Sequence, residues 1–147
     1  MINGVDTYRA FNGVGAAENP GRWNIKGSKI CYTAQAESLA TLESLVYVKQ
    51  QRILHKYRLI EISFDDIYMK PYEPDSLELE QRWNTLNIDS ISQEYGERYR
   101  EDFLALQVPS VHSGTEFGYV LNPYHEKFST VKIGEAERFI FDPRYKE

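Results

Sequence analysis

Pro20-Gly21-Arg22-Trp23-Asn24-Ile25-Lys26-Gly27, Ile30-Cys31-Tyr32-Thr33-Ala34 and Leu39-Ala40-Thr41-Leu42-Glu43-Ser44-Leu45-Val46 follow one another between Pro20 and Val48 and decide the reading of the chain. A glycine-bounded turn carrying an arginine leads into a strand predicted over Lys29–Thr33, and a helix is predicted over Ala36–Gln51. Gly21 and Gly27 suit a turn that needs positive φ or a close backbone approach. At about 100° per residue, Leu39, Leu42 and Val46 form the apolar stripe of the helix. Glu43 is i+4 from Leu39 and i−3 from Val46, at the edge of that stripe, on the side shared with Ala36 and Ala40. Unpaired acids are rarely buried, so two readings stand. Glu43 is either a structural ion-pair or edge residue reaching solvent, or a carboxylate lining a cleft with Arg22 and Tyr32. Consecutive elements usually neighbour one another in space. On a strand, residue 31 points opposite to residue 32. Only one of Cys31 and Tyr32 can therefore face a cleft, and the reading takes Tyr32.

The chain has 147 residues, which fits one domain over 1–147 with a single core. Hydrophobic content of 41% and charged content of 27% are ordinary for a globular chain. Eleven tyrosines and seven phenylalanines favour a packed fold, with a stacking site, over disorder. A formal charge of −5 argues against direct nucleic-acid binding, which normally needs a basic patch. Cys31 is the sole cysteine, so no internal disulfide can form, in keeping with a reducing compartment. Residues 1–6 lack the basic-then-apolar signature of a signal peptide, and no apolar run approaches a membrane span. A cytoplasmic location is expected.

In chain order, Tyr8–Phe11 reads as a short opening strand closed by Asn12-Gly13. Gly13–Glu18 reads as a flexible loop, because it lacks the third glycine and the context of a dinucleotide fingerprint. Tyr57–Phe64 alternates as a strand. The prolines and acids of 65–89 mark a loop with a short helix over Leu77–Trp83. Ser90–Phe103 reads as a helix capped by Ser90 or Ser92, with Gly96 as an interior weak point. Leu104–Val108, Tyr119–Leu121, Ser129–Ile133 and Arg138–Phe141 complete the strands. Strands outnumber helices without strict alternation, which predicts α+β.

His55, His112 and His125 have no helical partner at ligand spacing, so no metal site is expected. Ser110 precedes His112 by two positions, yet no nucleophile-elbow pattern surrounds it. A turn serine explains it equally well. Gly-Arg-Trp-Asn likewise reads as a turn with a buried indole and an arginine anchoring a carboxylate. Those readings explain one residue each and leave Arg, Tyr and an inward Glu arriving together. As a set they suit a phosphorylated, aromatic ligand. Arg22 supplies a forked donor, Tyr32 a stacking face, and Glu43 a carboxylate for an oxocarbenium-like sugar. This chemistry matches cleavage of an N-glycosidic bond, with nicotinamide departing neutral.

The segments Gly21-Arg22-Trp23-Asn24 with Lys26-Gly27, Tyr32-Thr33-Ala34, Leu39-Ala40 with Leu42-Glu43, Val108-Pro109-Ser110, Leu121-Asn122-Pro123 with His125, and Phe141-Asp142 with Arg144 occur in this order. With them the chain resembles the RES domain, the toxin half of a bacterial type II toxin–antitoxin pair. The resemblance spans nearly the whole chain and places Arg22, Tyr32, Glu43 and Ser110 on the family's site positions. It implies a diphtheria-toxin-type ADP-ribosyltransferase-like fold, a mixed β core with flanking helices. It implies NAD as the substrate, degraded by hydrolysis or phosphorolysis, with ADP-ribosylation of a protein as the alternative. A rival of another class is a non-catalytic nucleotide- or antitoxin-binding module. An Xre-like antitoxin covering the site is the implied partner, giving a hetero-oligomer. Arg22 is left for the pyrophosphate or the carboxamide, Tyr32 for nicotinamide, Glu43 for the ribose or the attacking water, and Ser110 for the ligand or for orienting Glu43. Arg9 and Asn122 are further candidates for phosphate contact or support. Two departures stand out. Gly118 occupies a place where the family usually has asparagine, and Gly96-Glu97-Arg98-Tyr99 replaces a Gly-x-x-Trp.

Overall fold

Apolar runs of opposite-facing residues build the central sheet of the protein, seen here in a computed structural model that describes residues 2–3, 7–47, 56–142 and 144. Strand β2 (Cys31–Ala34), β5 (Met69–Lys70), β6 (Ala105–Pro109) and β7 (Phe117–Leu121) form a four-stranded sheet in the order β2-β7-β6-β5. β2 and β6 flank β7 antiparallel, and β5 joins β6 in parallel. This is a mixed sheet in an α+β architecture.

Register divides the side chains between two faces, because successive residues alternate. Cys31 pairs with Leu121 and Leu121 with Ala105, and these three form one buried cluster. On the other face Tyr32 pairs with Val120 and Val120 with Leu106, while Ala34, Gly118 and Val108 form the next rung. Trp23, Ile30, Leu79 and Tyr95 pack over Leu106, Val108 and Val120 to make the main core.

Among the described residues two further ladders lie outside this sheet. β1 (Ile2–Asn3), β3 (Tyr57–Leu59) and β9 (Glu137–Arg138) pair in the order β1-β3-β9, and β4 (Ile62–Ser63) pairs with β8 (Lys132–Ile133). The stretch Tyr57–Phe64 is therefore two strands with different partners. Ser129–Ile133 divides into a 3-10 turn, Phe128–Thr130, and β8. At the chain end the strand is Glu137–Arg138 rather than Arg138–Phe141. β5 falls in a stretch read as loop, and its shortness conceals its period.

Among the described residues five α-helices accompany the strands: α1 (Thr7–Ala10), α2 (Val14–Glu18), α3 (Glu37–Tyr47), α4 (Leu77–Arg82) and α5 (Ser90–Tyr99). α1 replaces the expected opening strand. α2 replaces the expected loop, with Asn12 Oδ1 accepting the Val14 N–H at 3.0 Å. α5 is capped by Asp89, whose carboxylate accepts the Ile91 N–H at 3.1 Å, rather than by Ser90 or Ser92. Ser92 is buried and donates to the Asp89 carbonyl. The expected stripe on α3 is also rotated. Leu39 is fully buried, but Leu42 is 46% and Val46 60% exposed. The helix instead turns Ala40, Glu43 and Ser44 toward the cavity described below, so its inward face is small and polar. Residues 48–51 of the expected helix lie outside the described residues.

Candidate functional site

A cavity of about 450 Å³ opens between the turn after Pro20, the β2–β7–β6 face, α3 and the segment following β6. Arg22, Tyr32, Glu43 and Ser110 all line it. Alternation of β2 accounts for Tyr32: its neighbour Cys31 is buried on the opposite face, while Tyr32 is 40% exposed. Ala34, Gly118 and Val108 form the floor from the same face. A Cβ at Gly118 would lie 3.1 Å from the Thr33 carbonyl oxygen, so the departure at this position keeps the floor low.

Glu43 and Ser110 meet across the cavity. Ser110 Oγ donates to Glu43 Oε1 at 3.0 Å and accepts the His112 N–H at 3.1 Å. The hydroxyl thus spends its single proton on the carboxylate, which fixes the carboxylate's position. Among the described residues this partner of Glu43 is a hydroxyl, not a cation, so the ion-pair reading of Glu43 gains no support. Ser110 itself is buried.

The Arg22 turn is held from several sides. Arg22 Nη1 donates to the Trp83 carbonyl at 2.6 Å, so the arginine anchors on a carbonyl where the turn reading expected a carboxylate. A guanidinium has five N–H donors in a plane, and one anchored nitrogen still leaves a fork for an anion. The Trp23 indole is buried as expected, stacked on Trp83 at 6.2 Å and edge-on to Tyr72 and Tyr95. Gln93 Nε2 of α5 donates to the carbonyls of Gly21 (3.1 Å) and Asn24 (2.9 Å). Gly27 takes φ +94° in open space, whereas Gly21 serves close approach: a Cβ there would meet Tyr32 Oη at 2.6 Å.

Other sequence candidates lie elsewhere. Asn122 is buried and structural, its amide donating to the Arg100 carbonyl and its oxygen accepting the Tyr124 N–H. Neither Asn122 nor Arg9 lines the cavity. His112 does, from its rim, and His125 closes a turn by accepting the Lys127 N–H. His55 lies outside the described residues. Among the described residues no group of three metal-ligating side chains occurs, and no helix is long and apolar enough to cross a membrane. Trp83 and Gln93 were missed by sequence reasoning, because each acts over a long separation that no local pattern marks.

Burial pushes the Cys31 thiol up to about 11, against a smaller opposing pull from a hydrogen bond with the Gly13 backbone. A thiol at that value stays protonated at neutral pH and is a poor nucleophile. An aromatic disulfide reagent should therefore label Cys31 only after unfolding. Labelling of the native protein as fast as of the denatured chain would contradict its placement.

A cavity on a mixed sheet thus brings a carboxylate, an arginine and an aromatic ring together in an α+β fold. The RES domain profile matches residues 3–142, and the chain belongs to the RES domain family. It is 32% identical over 139 residues to "Toxin Res" of Yersinia enterocolitica, covering 92% of this chain and 90% of that protein. It is 30% identical over 146 residues to "Prs ADP-ribosylating toxin" of Sphingobium sp., covering 94% and 89%. "Toxin Res" of Photorhabdus laumondii is 31% identical over 129 residues, covering 84% and 81%.

Proposed function

We propose that this chain is a toxin that consumes NAD by cleaving the nicotinamide–ribose bond. The observation that carries the reading is the Ser110–Glu43 hydrogen bond inside the cavity that also holds Arg22 and Tyr32. In the reaction the C–N bond breaks with its electron pair leaving on nicotinamide, which departs neutral. The ribose becomes oxocarbenium-like. Glu43 stabilises that charge through the ribose or polarises the attacking group, and Ser110 holds the carboxylate for this task. Arg22 takes the pyrophosphate or the carboxamide, and Tyr32 offers its ring to nicotinamide. Water gives hydrolysis and inorganic phosphate gives phosphorolysis.

The mixed sheet with flanking helices agrees with an ADP-ribosyltransferase-like fold of diphtheria-toxin type in a single domain over 1–147. The reading assigns no metal to the reaction. It places the protein in the cytoplasm, paired with an Xre-like antitoxin that covers the cavity. Relatives bearing the name toxin support this assignment. A second reading keeps the site and transfers ADP-ribose to a protein. It is favoured by the relative named as an ADP-ribosylating toxin. Incubation with NAD carrying a label in its adenine half separates the two: label in small products supports NAD degradation, and label attached to protein supports transfer. A module that only binds NAD would leave it chemically intact while raising the melting temperature.

A further inference from the structure

The Arg22 turn contains a buried side chain to which no role has been given. Asn24 is 0% exposed. Its Oδ1 accepts the Gly21 N–H at 2.8 Å and the Tyr32 O–H at 2.8 Å. Its Nδ2 donates to the carbonyls of Ala16 at 2.9 Å and Ile25 at 3.0 Å. Both ends of the amide are thus used, and a buried amide with both ends bonded is rigid. The Tyr32 hydroxyl closes the same circuit from the other side, accepting the Trp23 N–H at 3.0 Å.

A phenol has one proton, and here it is spent on Asn24. The three contacts tie Gly21 and Trp23, the two neighbours of Arg22, to the end of the Tyr32 ring. Arg22 is bracketed between them.

We propose that Asn24 is a positioning residue that locks the Tyr32 ring and the Arg22 backbone into one unit. The Tyr32 hydroxyl serves that lock, and Tyr32 meets a ligand through its ring alone. Gly21 fits the same unit, since a Cβ there would push on a hydroxyl already held by two partners. The ligand half of this proposal rests on the NAD reading above, whereas the lock itself does not.

Asn24→Ala leaves several buried groups without partners and endangers folding, so Tyr32→Phe is the main test. It removes the hydroxyl and keeps the ring. Amide hydrogen exchange in Tyr32→Phe should be at least about tenfold faster at Trp23 and Gly21 than in the wild type. Wild-type exchange at both amides would overturn the lock. The second measurement is ADP-ribose affinity in a cycle of Tyr32→Phe with Arg22→Ala. If the hydroxyl acts by positioning Arg22, its removal weakens binding less in the Arg22→Ala background than in the wild type. An equal loss in both backgrounds would mean that the hydroxyl touches the ligand itself, and the proposal fails. If the wild type neither binds ADP-ribose nor cleaves NAD, the NAD reading falls, and the exchange rates alone decide whether the lock stands.

Discussion

Glu43→Gln should fold as the wild type does and lose most nicotinamide release, by on the order of 10²–10⁴-fold in kcat, the usual worth of one positioned carboxylate or acid–base group. The amide is nearly isosteric and keeps an oxygen to accept from Ser110, whose hydroxyl lies 3.0 Å away in the wild type. Only the negative charge is removed. A charge that matters mainly as the ribose turns cationic changes kcat more than KM. The paired measurement is Ser110→Ala. It leaves Glu43 charged but unanchored, so it should reduce kcat less than Glu43→Gln does, and the double variant should fall no further than Glu43→Gln alone. Wild-type turnover in Glu43→Gln, with an unchanged melting temperature, would remove Glu43 from the mechanism.

Gly96→Ala should be the most damaging glycine-to-alanine change among the described residues. On helix propensity alone the substitution would help by about 1 kcal/mol. Space decides against it. A Cβ at Gly96 would sit 1.9 Å from the Trp23 carbonyl oxygen and 2.8 Å from its carbonyl carbon. Those are backbone atoms of the turn carrying Arg22, so no side chain can swing aside. Overpacking normally costs about 1–3 kcal/mol, and a clash this close belongs at or above the upper end. Chemical denaturation should show a loss of more than about 3 kcal/mol, or no folded protein. Where some protein folds, α5 must move off the turn, and ligand affinity should drop with stability. A stability at or above wild type would show that α5 does not pack on Trp23.

Gly96 also marks where the sequence stopped being informative. Its helical context was legible, but its value as a glycine lies in an approach to a residue distant in the chain. The same holds for the Arg22–Trp83 and Gln93–Gly21 contacts, since local patterns carry no trace of long-range hydrogen bonds. The β2 alternation was legible because a two-residue period survives in a short strand, and it put Tyr32 and Cys31 on opposite faces. The α3 stripe misled. Leu42 and Val46 fit a helical period with Leu39, yet the helix spends its inward side on Ala40, Glu43 and Ser44 around the cavity. Lining the cavity there overrides the burial rule from which the stripe was read. Tyr8–Phe11 misled for a simpler reason: four residues of mixed character carry too little period to separate strand from helix.

The pairing of Ser110 with Glu43 lies between these cases. The residues themselves offered a turn serine, and only the resemblance to RES domains gathered Ser110 with Arg22, Tyr32 and Glu43. The geometry brings all four to one cavity.

The central claim is that this cavity cleaves NAD, and chromatography of NAD incubated with the purified, antitoxin-free protein tests it most directly. Parallel samples with and without inorganic phosphate would be followed for nicotinamide and for the ADP-ribose product. The account predicts nicotinamide release that Glu43→Gln abolishes, with phosphate dependence distinguishing phosphorolysis from hydrolysis. NAD that stays intact for hours with the folded wild-type protein, and leaves no ADP-ribose on any added protein, would contradict it.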